Sequence, residues 1–295
     1  MYTMKNIIIA KNYYIDKSYR LGRSGAVRLL LAMMLIFTSI CFASGSGIPG
    51  NRTNEKIIRN AARNATPAAS TAERLMELAK TDHVELIEWS MALYDHNIKD
   101  YTAVLHKQER IAGKLIKPQE IAFWFRDKPY SLLMKWEKNA VLIDKLLYVE
   151  GKENGNMYVH PTGPWAWIKS VKRKPRCQEA LKGSLKTADE FGFYRNMQYL
   201  HKVLTKGQNS RSLSSKYLGT SNVYGRDTVA MEATFTGNDC RYQKIIMHFD
   251  TKHILPLALA FYDREGNLHS SYAFSNLKLN TGITEDTFCK NKNKM

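Results

Sequence analysis

The chain has 295 residues, 44% of them apolar and 24% charged, with 44 Lys and Arg against 27 Asp and Glu and a formal net charge of +17. This is ordinary globular composition, which excludes a mostly disordered or collagen-like chain. The length admits one large domain or two small ones.

The N-terminus reads as a targeting segment. Lys17, Arg20, Arg23 and Arg28 precede an apolar run of 13 residues, Leu29–Cys41, and then the small-residue stretch Phe42–Gly47. A basic region, a short apolar core and small residues make a signal peptide. The core is shorter than the ~20 residues that span a bilayer. Cleavage after Ala43 is expected, giving a signal peptide over 1–43 and a periplasmic or secreted protein. The alternatives are an uncleaved anchor or a lipid on Cys41, where Ile40 is a poor small-residue substitute. The mature chain keeps 38 bases against 26 acids, a charge of +12. An exported basic protein meets anionic lipid, lipopolysaccharide or cell-wall polymer rather than nucleic acid. A positive surface that simply keeps the protein soluble explains the charge equally well.

Residues 44–70 form a polar linker rich in Gly, Asn, Ser and Thr. Ser70 and Glu73 then make a capping box, and Leu75, Met76, Leu78 and Ala79 follow at helical spacing. Asp82 with Glu85 is a second cap, so the helix restarts there and runs to about Tyr94. Five strands are expected next, at 101–109, 121–126, 132–136, 146–150 and 157–160. Their close spacing, with turns between, indicates an antiparallel meander rather than βαβ units. A helix is expected over 191–205 and a polar loop over 207–215. Val229–Phe235 and Ile245–Phe249 alternate again as strands. The strongest pattern is 254–280, two alternating strands joined by Asp263–Asn267, with Gly266 free to take a positive φ. Cys177, Cys240 and Cys289 remain after cleavage; Cys240 with Cys289 is the favoured pair in an oxidising compartment. Their spacing fits no metal motif.

The segments 100–115, 125–136, 146–163 and 261–284 together resemble a family of exported bacterial proteins described as a domain of unknown function. That family is similar in architecture to the periplasmic lipoprotein carriers of the LolA/LolB type. The resemblance implies an α+β fold: a curved antiparallel half-barrel sheet, LolA/LolB-like, covered by helices on its open side. It spans about 71–290, leaving 291–295 as a basic tail. Trp124 stands where the family more often has lysine and Cys289 where it has an acid. Lys290–Met295 replaces an aromatic end that follows an Asn-Pro pair.

The implied function is an envelope protein that binds or carries an apolar or lipid-like ligand, lipid or lipoprotein acyl chains, in the half-barrel. The candidate ligand-binding residues are Trp124, Met134, Trp136, Tyr148, Met231, Met247, Phe261, Tyr272 and Phe274. Flexible Met and broad aromatic rings suit a variable apolar ligand, although the same residues also make an ordinary filled core. A filled core would suit a scaffold or partner-binding protein instead. A polar constellation of Glu109, Arg110, Arg126 and His160, with Asp127 and Lys128, would serve an envelope hydrolase if it converged; its structural alternative is an ion pair at the rim. The cluster Lys169–Arg176 suits lipid headgroups or a solvated loop. HExxH, GxSxG, P-loop and CxxC patterns do not occur in the sequence, and no cofactor is implied.

Overall fold

The computed structural model describes residues 70–237 and 240–295. The expected signal peptide and nearly all of the linker lie outside the described residues.

Two helices open the described chain, α1 (Thr71–Thr81) and α2 (His83–Asn97). The capping box forms, with the Glu73 amide donating to Ser70 Oγ at 3.3 Å and the Ser70 amide to Glu73 Oε2 at 2.7 Å. Asp82 does two jobs. Its amide closes α1 on the Leu78 carbonyl at 2.9 Å, and its carboxylate accepts from the Val84 and Glu85 amides at 2.9 and 3.0 Å. One residue therefore satisfies orphan groups at both ends of the break.

Twelve strands follow: β1 (Asp100–Ile111), β2 (Lys114–Leu115), β3 (Gln119–Arg126), β4 (Ser131–Lys138), β5 (Ile143–Val149), β6 (Met157–Pro161), β7 (Val171–Arg173), β8 (Leu213–Val223), β9 (Arg226–Phe235), β10 (Lys244–Asp250), β11 (Pro256–Tyr262) and β12 (Leu268–Leu279). Between β7 and β8 lie a short helix α3 (Gln178–Leu181) and a long one, α4 (Phe193–Asn209). The sheet order is β7-β6-β5-β4-β3-β1-β12-β11-β10-β9-β8, with every pairing antiparallel and β2 attached to β1. The two end strands do not pair with each other, so the sheet is the open half-barrel expected. β1 and β12 hold its centre, joining the two meanders.

One face of the sheet carries the main core. Leu75, Leu86, Ile87, Met197, Leu200 and Leu204 from the helices meet Met231, Ile245, Met247, Phe249, Leu257 and Leu259 from the strands. Tyr101 sits among Phe123, Phe125 and Phe193 at ring separations of 5.6, 4.9 and 4.8 Å. Its hydroxyl accepts from the Phe193 amide at 3.1 Å and so caps the start of α4. Gly192, at φ +109°, makes room for that hydroxyl: a Cβ there would lie 3.0 Å from it.

The opposite face has its own smaller core of Leu133, Leu147, Val149 and Tyr158, covered by Phe288 and Met295. The last five residues thus differ from the expected tail. Met295 is buried, and Asn293 Nδ2 donates to the carbonyls of Thr287 and Cys289 at 2.8 and 3.0 Å. Cys177, Cys240 and Cys289 are all free, so the expected Cys240–Cys289 pair is not formed.

The hairpin β11–β12 closes as its turn chemistry requires. The Asp263 amide donates to the Asn267 carbonyl at 3.0 Å, and the Asn267 amide to Asp263 Oδ1 at 2.7 Å. Gly266 has φ +79°. Replacing Gly266 by Val is expected to cost about 1 kcal/mol or more, because a β-branched residue resists the left-handed region. Urea unfolding measures it, and an unchanged midpoint would reject that requirement.

Candidate functional site

Alternation along β1 points Tyr101, Ala103, Leu105, Lys107 and Glu109 to one face, all buried. The apolar stripe therefore ends in two charges. Lys107 Nζ lies 3.1 Å from Glu109 Oε2, with the two side chains 1% and 0% exposed. Tyr272 on β12 donates its hydroxyl to Glu109 Oε1 at 2.7 Å, and the Leu185 amide donates to Oε2 at 3.1 Å. Lys107 also donates to Ser184 Oγ at 3.2 Å. The ion pair thus anchors the 184–186 segment to the sheet.

Lys186 completes the cluster. Its Nζ stands 4.8 Å over the Tyr272 ring and donates to Asn196 Oδ1 on α4. Burial pulls the Lys186 ammonium down to about 8, opposed by the Glu109 and Glu190 carboxylates and reinforced by Lys107. Burial, and next to it the Glu109 charge, push the Tyr272 phenol well above its usual range.

Beside this cluster lies a cavity of about 210 Å³. Met134 and Trp136 of β4, Leu146 of β5, Met157 and Val159 of β6 and Val171 of β7 form its sheet wall. Ala180, Gly183, Ala188 and Phe191 close it from the segment after β7, and Lys107, Gln119, Arg173, Glu179, Ser184, Lys186 and Thr187 supply its polar part. Gln119 Nε2 donates to the Asn139 carbonyl at 2.9 Å, while its Oε1 is buried without a partner among the described residues. The cavity therefore offers an apolar wall and one unused acceptor. A second hollow of about 420 Å³ lies across Lys186 and is mixed in character: the charged Glu190, Arg195 and Arg241 and the hydroxyl of Ser270 line it with the rings of Tyr199, Tyr242, Phe261 and Tyr272.

The sequence-derived ligand set divides. Met134 and Trp136 line the apolar cavity. Phe261 and Tyr272 line the second hollow. Met231 and Met247 are cross-strand partners, buried under the helices, and line neither. Phe274 packs on Phe193 at 4.6 Å, and Tyr148 on Tyr130 at 5.9 Å. Trp124 is a correction. Ile121, Phe123 and Phe125 take the inner face of β3, so Trp124 falls on the other, beside the smaller core and with Lys135 Nζ 5.3 Å over its ring.

The polar constellation does not converge. Glu109 and Arg126 are on adjacent strands, yet the register sets Arg126 opposite Asp100, at the far end of β1. Arg126 donates to Ser131 Oγ at 3.5 Å and covers the Phe288 ring at 5.3 Å. Arg110 donates to the carbonyls of Leu268 and Gly113. His160 Nδ1 lies 2.6 Å from Asp144 Oδ1 on β5. The convergence that a hydrolase needed is therefore not built from these residues. Lys107 and Lys186, which the sequence reading passed over, hold the place beside Glu109. Period-two counting from Tyr101 would have found Lys107; nothing local marks Lys186.

Among the described residues, no group of three or more His, Cys, Asp or Glu is arranged to hold a metal ion. No helix among them is long and apolar enough to cross a membrane.

No curated protein matches the chain. Solved structures do, at low identity. MucB in its complex with MucA from Pseudomonas aeruginosa is 15% identical, covering 71% of this chain and 61% of that one, with a TM-score of 0.43. The lipoprotein LppX of Mycobacterium tuberculosis is 10% identical, covering 68% and 96%, at 0.39. A LolA superfamily protein from Nitrosomonas europaea is 11% identical, covering 70% and 97%, at 0.30. The match that settles membership is to a family model: over residues 98–295, which run from the end of α2 to the last residue of the smaller core, the chain belongs to the family described as protein of unknown function DUF1571.

Proposed function

We propose that this protein is exported and holds a single apolar, acyl-type chain in the cavity between β4–β7 and the 179–191 segment. The observation that carries the reading is the lining. Met134, Trp136, Leu146, Met157 and Val159 present a continuous apolar wall around about 210 Å³. That volume exceeds the ~150 Å³ of an apolar cavity able to take benzene. At ~30 Å³ per water-sized group it holds about seven methylenes. At ~0.8 kcal/mol per buried CH₂ the gross gain is about 5–6 kcal/mol before association costs. The size suits one short acyl segment rather than a bundle of chains. The unpaired Gln119 Oε1 favours a ligand that brings a hydroxyl or amide donor to the polar part of the cavity. Export is supported by the basic and apolar stretches that precede Ala43.

Native mass spectrometry of the protein purified from its host without detergent tests this. The expected result is an added mass that organic extraction removes as lipid. Met134→Arg, and Trp136→Glu at a less buried point of the same wall, are expected to reduce the adduct at least about tenfold, since a charge would stand in the apolar site. Wild-type protein without adduct after incubation with fatty acids and phospholipid would overturn the reading. So would undiminished loading in both folded variants.

A further inference from the structure

Around the mouth of the apolar cavity the surface changes character. Val141 and Leu142, in the β4–β5 turn, line the cavity and yet are 50% and 46% exposed. The β6–β7 loop is tied to them: Thr162 donates its amide to the Leu142 carbonyl at 3.0 Å and its hydroxyl to the Val141 carbonyl at 3.1 Å. That loop then turns tightly, with the Ala166 amide on the Gly163 carbonyl and the Ile168 amide on the Trp165 carbonyl. It holds Trp165 and Trp167 out, 62% and 77% exposed. From the third side, Gly183 packs so closely on Leu142 that a Cβ would lie 3.2 Å from its Cδ1, and Leu181 two residues earlier is exposed.

The charge at this rim has one sign. Residues 161–187 contain seven Lys and Arg and a single acid, Glu179. Lys172 and Arg176 are matched by Glu153 and Asp189 at 2.7 and 2.8 Å. Lys169, Arg173 and Lys182 are exposed and make no close ion pair among the described residues, Glu179 being the one acid that acts on Lys182 and Arg173, while Lys174 turns away to donate to the Asn154 carbonyl at the β5–β6 turn.

Exposed indoles in a segment with a strong excess of exposed cations suit neither a folded core nor open water. Tryptophan settles at the headgroup level of a bilayer, and clustered Lys and Arg are drawn to anionic lipid. We propose that this rim docks the protein on an anionic lipid surface, with Trp165 and Trp167 entering the interfacial layer and Lys169, Arg173 and Lys182 meeting the headgroups. The docked face is the one on which the cavity opens. Docking stands independently of whether the cavity takes a chain.

The test is binding of the full chain to vesicles of equal parts phosphatidylglycerol and phosphatidylcholine, and to vesicles of phosphatidylcholine alone. Tighter binding to the anionic vesicles is expected, released at about 1 M salt, where the screening length falls to ~3 Å. Trp165→Ser with Trp167→Ser is expected to weaken that binding at least about tenfold and to remove quenching by brominated lipid. Lys169→Glu with Lys182→Glu is expected to weaken it similarly and to flatten its salt dependence. All four side chains are exposed, so the variants keep their fold, which an unchanged melting curve verifies. Met134→Arg, which addresses the cavity, is expected to bind vesicles as wild type does, so the two readings fail separately. Equal binding to both vesicle types would overturn docking on anionic lipid. A folded double-Trp variant that binds as tightly as wild type would overturn the assignment of this rim.

Discussion

Replacing Glu109 by Ala is expected to destabilise the protein by about 3–5 kcal/mol, the cost typical of breaking a buried ion pair from one side. Three groups lose their acceptor at once: Lys107 Nζ at 3.1 Å, the Leu185 amide at 3.1 Å and the Tyr272 hydroxyl at 2.7 Å. The Lys107 and Tyr272 side chains are buried and the Leu185 residue is half-buried, so water replaces the lost acceptor only in part. Lys107 keeps only Ser184 Oγ, at 3.2 Å. The loss is mostly the penalty of an orphaned charge, not the worth of the pair, so removing both charges is expected to be far milder. Lys107→Met with Glu109→Leu should recover most of the stability. Urea unfolding of the two single variants and the double variant measures this. A Glu109→Ala cost below about 1 kcal/mol would show that the pair is solvated and the cluster open. Because Ser184 and Leu185 are tied to the sheet through these two residues, the single variant is also expected to loosen one wall of the apolar cavity.

The sheet was legible because its inner face alternates cleanly. Ile121, Phe123 and Phe125 on β3, and Ile245, Met247 and Phe249 on β10, show one period-two stripe each, and both strands form where the stripe lies. Asp82 was legible for a similar reason: a capping side chain acts within three residues of itself. The misses share a cause too. β8 occupies Leu213–Val223, partly where a polar loop was expected. It is an edge strand whose side chains are mostly exposed, so neither face needed an apolar stripe. β7 is three residues long and basic. Its place is set by pairing with β6, which no local pattern announces.

The site was half legible. Aromatic and methionine content correctly indicated a greasy inner face, yet could not say which part is filled. That is decided by α4, whose Met197, Leu200 and Leu204 pack over the β9–β12 half and consume Met231 and Met247 as core. The β4–β7 half is covered only by the irregular 179–191 segment, so space remains there. Trp124 joined the candidate set on its aromatic character, but alternation with Phe123 and Phe125 places it on the other face of β3. The strand turns it outward, where Phe288, Ile283 and Met295 from the chain's end give it apolar company.

Lowering the pH from about 7.5 to about 4.5 is expected to remove about 3 kcal/mol of stability through His248 alone. The imidazole is buried, 8% exposed, with Nδ1 2.8 Å from Ser221 Oγ on β8, and burial lowers its pKa from 6.5 to about 4. The folded state therefore resists protonation while the unfolded chain accepts it near 6.5. The contribution is complete above pH 6.5 and is lost progressively as pH falls towards 4, because the unfolded state binds the extra proton across that window. The two units between 6.5 and 4.5, at 1.36 kcal/mol each, set the scale of about 3 kcal/mol. His83, His106, His253 and His269 are lowered by burial as well and act with the same sign. Carboxylates also titrate in the lower part of the range, so the effect of His248 is read as a difference. His248→Asn keeps a polar side chain within reach of Ser221 but does not titrate. Its unfolding free energy is expected to fall less than that of wild type between the two pH values, by about 3 kcal/mol. Parallel pH profiles for the two proteins would mean that His248 takes up its proton as readily in the folded as in the unfolded state, with water reaching its ring.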